Sequence, residues 1–344
     1  MKTVSVVMGT YNGAKFIDEQ IDSLLNQTFK PHEIIICDDQ STDATFKIVS
    51  RLASQSSVPI LLHRNAHRLG FEDNFIKAAN LATGELVAFC DQDDIWFPDK
   101  LHVVARHFDS KDVSLCVHTA ITIDETGLEL DKFSQGITAD RVNDPLSYSP
   151  WFTYFGFSMT FRRALLDILP HEQRGIDFIS GHDHLAHDRW IMFLANISGK
   201  TVELAQPLVG YRQHSSNVFG AKGKRKPPVN GDNLFENFAK YYAFMANKRE
   251  IIDNLPDEKS EIFPLLNKEN IMAYIEMASM NLEARSKIYR SRRRISATRN
   301  LIIASLGGHF KEVPSGNFIR RDFLKDLGYV VTNTRWSREL ASRQ

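Results

Sequence analysis

Three carboxylates fall within four residues at Asp91-Gln92-Asp93-Asp94, directly after the apolar run Leu86-Val87-Ala88-Phe89-Cys90. Acid at that density suits a divalent cation, Mg²⁺ or Mn²⁺, whose shell hard oxygen donors share with substrate phosphates and water rather than close into a protein cage. A second run, Ile34-Ile35-Ile36-Cys37, also ends in paired carboxylates, Asp38-Asp39, and continues as Gln40-Ser41-Thr42-Asp43. One Asp after a strand is commonly a cap or turn former, and Ser41, Thr42 or Asp43 is expected to cap a helix near Ala44. Two such clusters on one sheet edge cannot all be caps. Like charges so placed repel, and their pKa values rise unless a cation is supplied.

The segments that must position these acids alternate in type. Val4 to Met8, Ile34 to Cys37, Ile60 to Leu62 and Leu86 to Cys90 read as short strands. Helical stripes lie between them: Phe16, Ile17, Ile21, Leu24 and Leu25; Phe46, Val49 and Leu52; then Phe71, Phe75, Ala78, Ala79 and Ala82. This βαβα succession with short connections predicts an α/β fold with a mostly parallel sheet and helices on both faces. Open sheets of that kind bind ligands at the carboxyl ends of their strands, where both acidic clusters fall.

Composition agrees: 344 residues, 43% hydrophobic and 24% charged, with a formal net charge of zero, describe ordinary globular material able to bury a core. The cysteines Cys37, Cys90 and Cys116 all fall in predicted strands without a spacing pattern, which predicts reduced, buried thiols and a cytoplasmic setting. The first strand begins at Val4, leaving no room for a secretory signal, and no apolar run approaches the ~20 residues of a membrane span. A phosphatase with an aspartate nucleophile would want that residue after the first strand, where Gly9-Thr10-Tyr11-Asn12 stands. A dinucleotide oxidoreductase would want Gly-x-Gly-x-x-Gly there, and it is absent.

Several blocks in order give the chain a resemblance to glycosyltransferase family 2, the inverting enzymes of GT-A fold, and within it to bacterial rhamnosyltransferase-like members. They are Val4 to Gly13, Cys37 to Asp43, Asn65 to Asn74, Asp91 to Lys100, His187-Asp188-Arg189-Trp190, and Tyr211-Arg212-Gln213-His214-Ser215-Ser216-Asn217. The resemblance covers roughly residues 3 to 220 and implies a nucleotide-sugar donor and a glycan acceptor. It places Thr10, Tyr11, Asn12 and Gln92 around the nucleotide, gives Asp39 a hydrogen bond from a pyrimidine base, sets Asp91 near the ribose, and makes Asp93 the main ligand of a metal bridging the phosphates. Asp94 assists or caps the next helix, whose Pro98 fits a first turn, and capping is favoured. His214 is a candidate for metal or diphosphate; Arg212 could bind phosphate, or form a surface ion pair.

Asp188 is the implied general base. It opens the stripe Trp190, Ile191, Leu194 and Ile197, so it lies at a helix N-terminus, where it could merely cap but where the dipole also keeps it ionised. Asp183 in Gly181-His182-Asp183-His184 is the competitor, and Asp188 is preferred because the related His-Asp pair leads directly into an aromatic helix. Arg189 stands where an aromatic is common. His182, Asp183, His184 and His187 have the short spacing of zinc ligands, but no second Cys or His cluster completes a site. The Asp-Gln-Asp-Asp-Ile-Trp block puts dTDP-L-rhamnose first among donors, with a UDP-hexose or UDP-N-acetylhexosamine close behind. A catalytically inactive sugar-nucleotide-binding protein is the alternative of another class.

Charge divides the chain. Residues 1–221 hold 28 Asp+Glu against 19 Lys+Arg, and residues 222–344 hold 14 against 23. Gly220 to Pro228 reads as a basic linker, so the expected organisation is a catalytic domain over 1–221, with the nucleotide site in about 1–118 and acceptor binding in about 119–221, followed by a basic, mainly helical extension over 222–344. Arg290-Ser291-Arg292-Arg293-Arg294, with Arg299, Arg320 and Arg321, is either a solvated helix face or an attachment to an anionic inner membrane leaflet carrying a lipid-linked acceptor. Nucleic acid is disfavoured, since no recognition motif accompanies the charge.

Overall fold

The computed structural model describes residues 2–175, 177, 184–215, 217, 231–256, 259–291, 293–311 and 320–332. Strands β1 (Val4–Thr10) and β2 (Glu33–Asp38) are covered on both faces, and every residue of β2 is buried, which is why they read as continuous apolar runs. Helix α1 (Ile17–Leu25) joins them and buries Ile17, Gln20, Ile21 and Leu24, three- and four-residue steps on one face. Next come α2 (Thr45–Gln55), β3 (Ile60–Arg64), α3 (Phe71–Asn80) and β4 (Leu86–Cys90). The N-cap residue of α2 is Ala44, which offers no side-chain cap, and Asp43 just before it accepts the N–H of Thr45 through Oδ1 at 3.0 Å.

The chain continues through β5 (Ile95–Trp96), α4 (Lys100–Ala105), β6 (Val113–Ile123), β7 (Glu129–Phe133), β8 (Arg141–Asn143), β9 (Thr160–Arg162), α5 (His187–Ser198) and β10 (Lys200–Arg212). Helices α6 (Gly231–Asp253), α7 (Lys259–Ile262), α8 (Lys268–Arg290), α9 (Arg294–Leu306) and α10 (Arg320–Thr332) follow. Strand order is β3-β2-β1-β4-β9-β6-β10-β5, with β7 on β6 and β8 on β10. The first four are parallel. Beyond them the sheet is mixed, because β9 runs antiparallel to both β4 and β6 and β5 runs antiparallel to β10.

Side chains alternate across the sheet and feed two cores. Val4, Val6, Met8, Ile34, Ile36, Leu86, Ala88 and Cys90 pack under α1, α2 and α4. Val7, Ile35, Cys37, Val87 and Phe89 face α3 and α5, and that core runs on into the C-terminal helices through Phe244, Met245, Ile252, Ile275, Leu301 and Val330. The expected boundary between residues 221 and 222 lies outside the described residues. All three cysteines are buried free thiols. No described helix is long and apolar enough to cross a membrane.

Candidate active site

The chain passes from β1 to β2 and β3 on one side and returns to place β4 on the other, so the sheet switches direction between β1 and β4. A crevice forms where their carboxyl ends part. Gln92 bridges it: its Oε1 accepts the N–H of Tyr11 at 3.0 Å and its Nε2 donates to the carbonyl of Tyr11 at 3.1 Å. Gly13 permits that approach, since a Cβ there would meet Gln92 Oε1 at 2.2 Å. Asn12, at φ 49°, turns the β1 loop so that its N–H reaches Ser41 Oγ at 3.0 Å and its Oδ1 accepts the N–H of Thr42 at 2.8 Å. Thr10 Oγ1 donates to buried Asp38 at 3.4 Å. Arg68, not singled out in the sequence, lies 3.8 Å over the Tyr11 ring at the rim.

Asp39 is buried at the end of β2. Its Oδ1 accepts from Asn65 Nδ2 at 2.8 Å and from the Leu69 N–H at 2.7 Å, and its Oδ2 accepts from the Gly70 N–H at 3.0 Å. Gly70 takes φ 80°, a left-handed conformation that costs glycine little. Asp39 thus shapes the 65–70 loop, and a carboxylate retains acceptor capacity for a further donor beside these three.

At the end of β4 the acids converge. Burial, then Asp93, then Asp188 push the Asp91 carboxyl up to about 7. Burial and the charges of Asp93 and Asp91 push Asp94 well up too. Asp94 is not a helix cap: its Oδ1 accepts the N–H of Arg212 at 3.0 Å, tying the acidic loop to the end of β10. Its Oδ2 is buried and has no hydrogen-bond partner among the described residues. Below lies Lys100, fully buried, its Nζ donating to the Phe157 carbonyl at 2.7 Å and sitting 3.5 Å over Trp96. Burial pushes that lysine down to about 7.

Arg212 is buried, and its guanidinium is spent on protein acceptors: the carbonyl of Asp93 at 2.7 Å, those of Asp124 and Glu125 at 3.3 and 2.9 Å, and Glu19 Oε2 at 2.5 Å. That arrangement holds the acidic loop and leaves little donor capacity for a phosphate. It is also no surface ion pair. His214, two residues on, faces Asp93: Nε2 lies 2.8 Å from Asp93 Oδ2, the nitrogen donating when it carries the proton. The ring packs 4.9 Å from Phe16. One imidazole and one carboxylate at one spot form a donor pair fitting a divalent cation. Among the described residues no third His, Cys, Asp or Glu closes with them into a cage.

Asp188 lies in the first turn of α5, after the N-cap position Ala186. It does not cap the helix; its Oδ1 accepts the N–H of Arg189 at 2.7 Å. Burial pushes its carboxyl up to about 6. The preceding His187 packs on Phe89 of β4, two residues before Asp91, and the charge of Asp188 contributes to raising Asp91. His182 and Asp183 lie outside the described residues. His184 Nδ1 turns to Asp73, 3.1 Å from Oδ2, whereas His187 stacks on Phe75 at 4.2 Å and meets Phe89 edge-on at 4.8 Å. These two histidines therefore serve different neighbours, and burial pushes His187 down to about 3, a neutral ring in an aromatic wall.

Helix α5 is held from outside as well. Lys248 of α6 is buried, donates to the Arg174 carbonyl at 2.6 Å and lies over Trp190 and Phe193 of α5 at 4.7 and 5.0 Å. Arg174 donates in turn to the carbonyls of Glu72 and Leu185 at 3.3 and 3.2 Å, and the Leu185 N–H bonds Gly175 at 2.7 Å. The segment entering α5 is thereby fixed on both sides.

With this geometry in place, the family model described as Glycosyl transferase family 2 matches residues 5–169. Residues 5–169 form a glycosyl transferase family 2 domain. The domain resembles an uncharacterized glycosyltransferase of Nostoc sp., 30% identical over 222 residues that cover 62% of this chain and 66% of that protein. It also resembles the UDP-Glc:alpha-D-GlcNAc-diphosphoundecaprenol beta-1,3-glucosyltransferase WfaP of Escherichia coli, 36% identical over 101 residues, 29% of this chain and 39% of WfaP. The chain thus spans just under two thirds of the first relative and less of the second. Among solved structures, S. aureus TarS 1-349 in complex with UDP-GlcNAc superposes with a TM-score of 0.54 at 17% identity, over 97% of this chain and 92% of that one. That likeness establishes the shared GT-A fold of the domain with its helical C-terminal region.

Proposed function

We propose that the protein is an inverting, metal-dependent glycosyltransferase that moves a sugar from a pyrimidine-nucleotide donor to a hydroxyl of a growing surface glycan. The convergence of Asp91, Asp93 and Asp188 at the switch point of a glycosyl transferase family 2 domain carries this reading. The acceptor hydroxyl gives its proton to Asp188 as its oxygen bonds to the anomeric carbon. The bond from that carbon to the diphosphate oxygen breaks on the opposite face, and the nucleoside diphosphate leaves with the electron pair. Asp93 and His214 would hold the cation, which supplies charge stabilisation for the leaving diphosphate.

Thr10, Tyr11, Asn12 and Gln92 would frame the nucleotide, and Asp39 would accept from the N–H that uracil and thymine share. Asp91 would face the ribose. Arg212 would act by holding the acidic loop in place. The names of the relatives, UDP-glucose for WfaP and UDP-GlcNAc for the TarS complex, favour a UDP-hexose or UDP-N-acetylhexosamine over dTDP-L-rhamnose, which the block Asp91 to Trp96 put first. WfaP's name also supports a lipid-diphosphate acceptor, met at the cytoplasmic face of a membrane.

A thermal-shift screen of nucleotide sugars with Mn²⁺ tests the donor, because ligand bound to the folded state alone raises Tm by mass action. A shift with UDP-sugars supports the reading; no shift with any pyrimidine-nucleotide sugar overturns it. Donor binding without turnover, with or without acceptor, would instead make the chain an inactive sugar-nucleotide-binding protein.

A further inference from the structure

Helix α9 carries apolar side chains on both faces. Ala297, Leu301 and Ala304 are buried, whereas Ile295, Ile302, Ile303 and Leu306 are 83%, 53%, 52% and 85% exposed. At about 100° per residue the exposed four, with Arg299 among them, occupy a single arc opposite the buried three. A helix on a protein surface ordinarily turns polar side chains outward, so four aliphatic ones in a stripe call for a covering.

The charge around the stripe says what covers it. Residues 294–306 contain no Asp or Glu. Arg293 and Arg294 stand at the helix N-terminus, where the dipole disfavours cations, and Arg299 joins them; all three are exposed. Among the described residues none of the three is ion-paired. Arginines beside protruding aliphatic side chains match an anionic lipid surface, where guanidinium groups meet phosphates while their neighbours enter the acyl boundary. Thirteen residues make a helix about 20 Å long, too short to span and suited to lying flat.

We propose that α9 is the surface by which the protein lies on an anionic bilayer, with Ile295, Ile302, Ile303 and Leu306 inserted and Arg293, Arg294 and Arg299 on the headgroups. The arginine run alone suggested attachment by charge; Arg292 lies outside the described residues, and the apolar stripe is the new element. Its purpose rests on the proposed lipid-linked acceptor, but its test reads lipid binding with no sugar present.

The full chain is floated with vesicles of phosphatidylglycerol and phosphatidylethanolamine and, separately, of phosphatidylcholine alone. It is expected to float with the anionic vesicles only. Replacing Arg293, Arg294 and Arg299 with Ser should weaken binding roughly 100-fold, at about fivefold per arginine. The double change Ile302→Asn and Leu306→Asn should weaken it too, even at low salt, and both variants should keep their melting temperature and turnover on a soluble acceptor. Equal flotation with neutral vesicles, or none with anionic ones, overturns the proposal. So does a dimer in light scattering that Leu306→Asn dissociates while flotation is unchanged, which would assign the stripe to a second copy. Flotation without any turnover would count against the transfer reading and for this one.

Discussion

Burial acts on Asp188 in a direction that suits a base. A carboxyl pushed up to about 6 is more basic than a surface aspartate yet still ionised at neutral pH. Because the ionised form works, kcat/KM should be level above pH 7 and fall about tenfold per unit once the pH drops below that value, a profile measurable with saturating metal. Asp188→Asn should lower turnover by ~10²–10⁴ while donor affinity holds, since the base acts on the acceptor. The same substitution at Asp183 should leave most turnover, and the reverse result in steady-state kinetics would exchange the two assignments. Asp93→Ala should abolish metal-dependent nucleotide binding in calorimetry with the fold intact, and full activity in excess EDTA would remove the cation from the mechanism. Asp91 and Asp93 were legible because they follow an apolar run, so pattern and chemistry coincide, whereas Asp188 came only from the resemblance of His187-Asp188 to a family motif. The job of Arg212 was not, because its partner Glu19 lies 193 residues away and no local pattern links them. Lys100 was hidden likewise. In the sequence it is only the end of the block Asp91 to Lys100, and the fold shows it buried.

The parallel strands β1, β2 and β4 could be read because a strand covered on both faces is largely apolar. Strand β9 could not. It spans only Thr160–Arg162 and, with no alternation to detect, turns the second half of the sheet mixed. The grip of α6 on α5 was equally invisible, since a lysine in a helical stripe reads as a solvent-facing residue. Lys248→Met tests that grip: the stem keeps its packing while the bonds to Arg174 and the rings are lost. Turnover is expected to fall on the order of tenfold through misplacement of Asp188, with donor KM unchanged. Lys248→Arg should recover part of it, and an equal rise in donor KM in the same kinetics would show a general loss of structure instead.

Crowded acids also set how the whole protein responds to pH. Asp91 and Asp188, with carboxyls at about 7 and about 6, hold protons in the folded state that the unfolded chain, titrating near 4, has lost. At these two sites the folded state therefore binds more protons between about pH 4 and 7, and by linkage their contribution to the stability of the cation-free protein falls as pH rises through that window, against the opposite contribution of buried His187. In melting curves without metal, the gain in Tm of Asp91→Asn over the parent should grow from pH 5 to 7.5, and Mn²⁺ at pH 7.5 should raise the Tm of the parent. Asp91→Asn should melt higher than the parent at pH 7.5 without metal and yet transfer poorly; a lower Tm would mean that the repulsion is already relieved.

One consequence concerns how such a chain can be altered. Because the core under α5 continues into Phe244, Ile252, Ile275 and Leu301, the C-terminal helices share one apolar core with that face of the sheet. The C-terminal helices are therefore not an exchangeable module. A chimaera that took them from a relative would need matching changes at Trp190 and Phe193, which lie under Lys248 of α6, so a junction between α5 and α6 should lower the melting temperature unless both sides come from one parent.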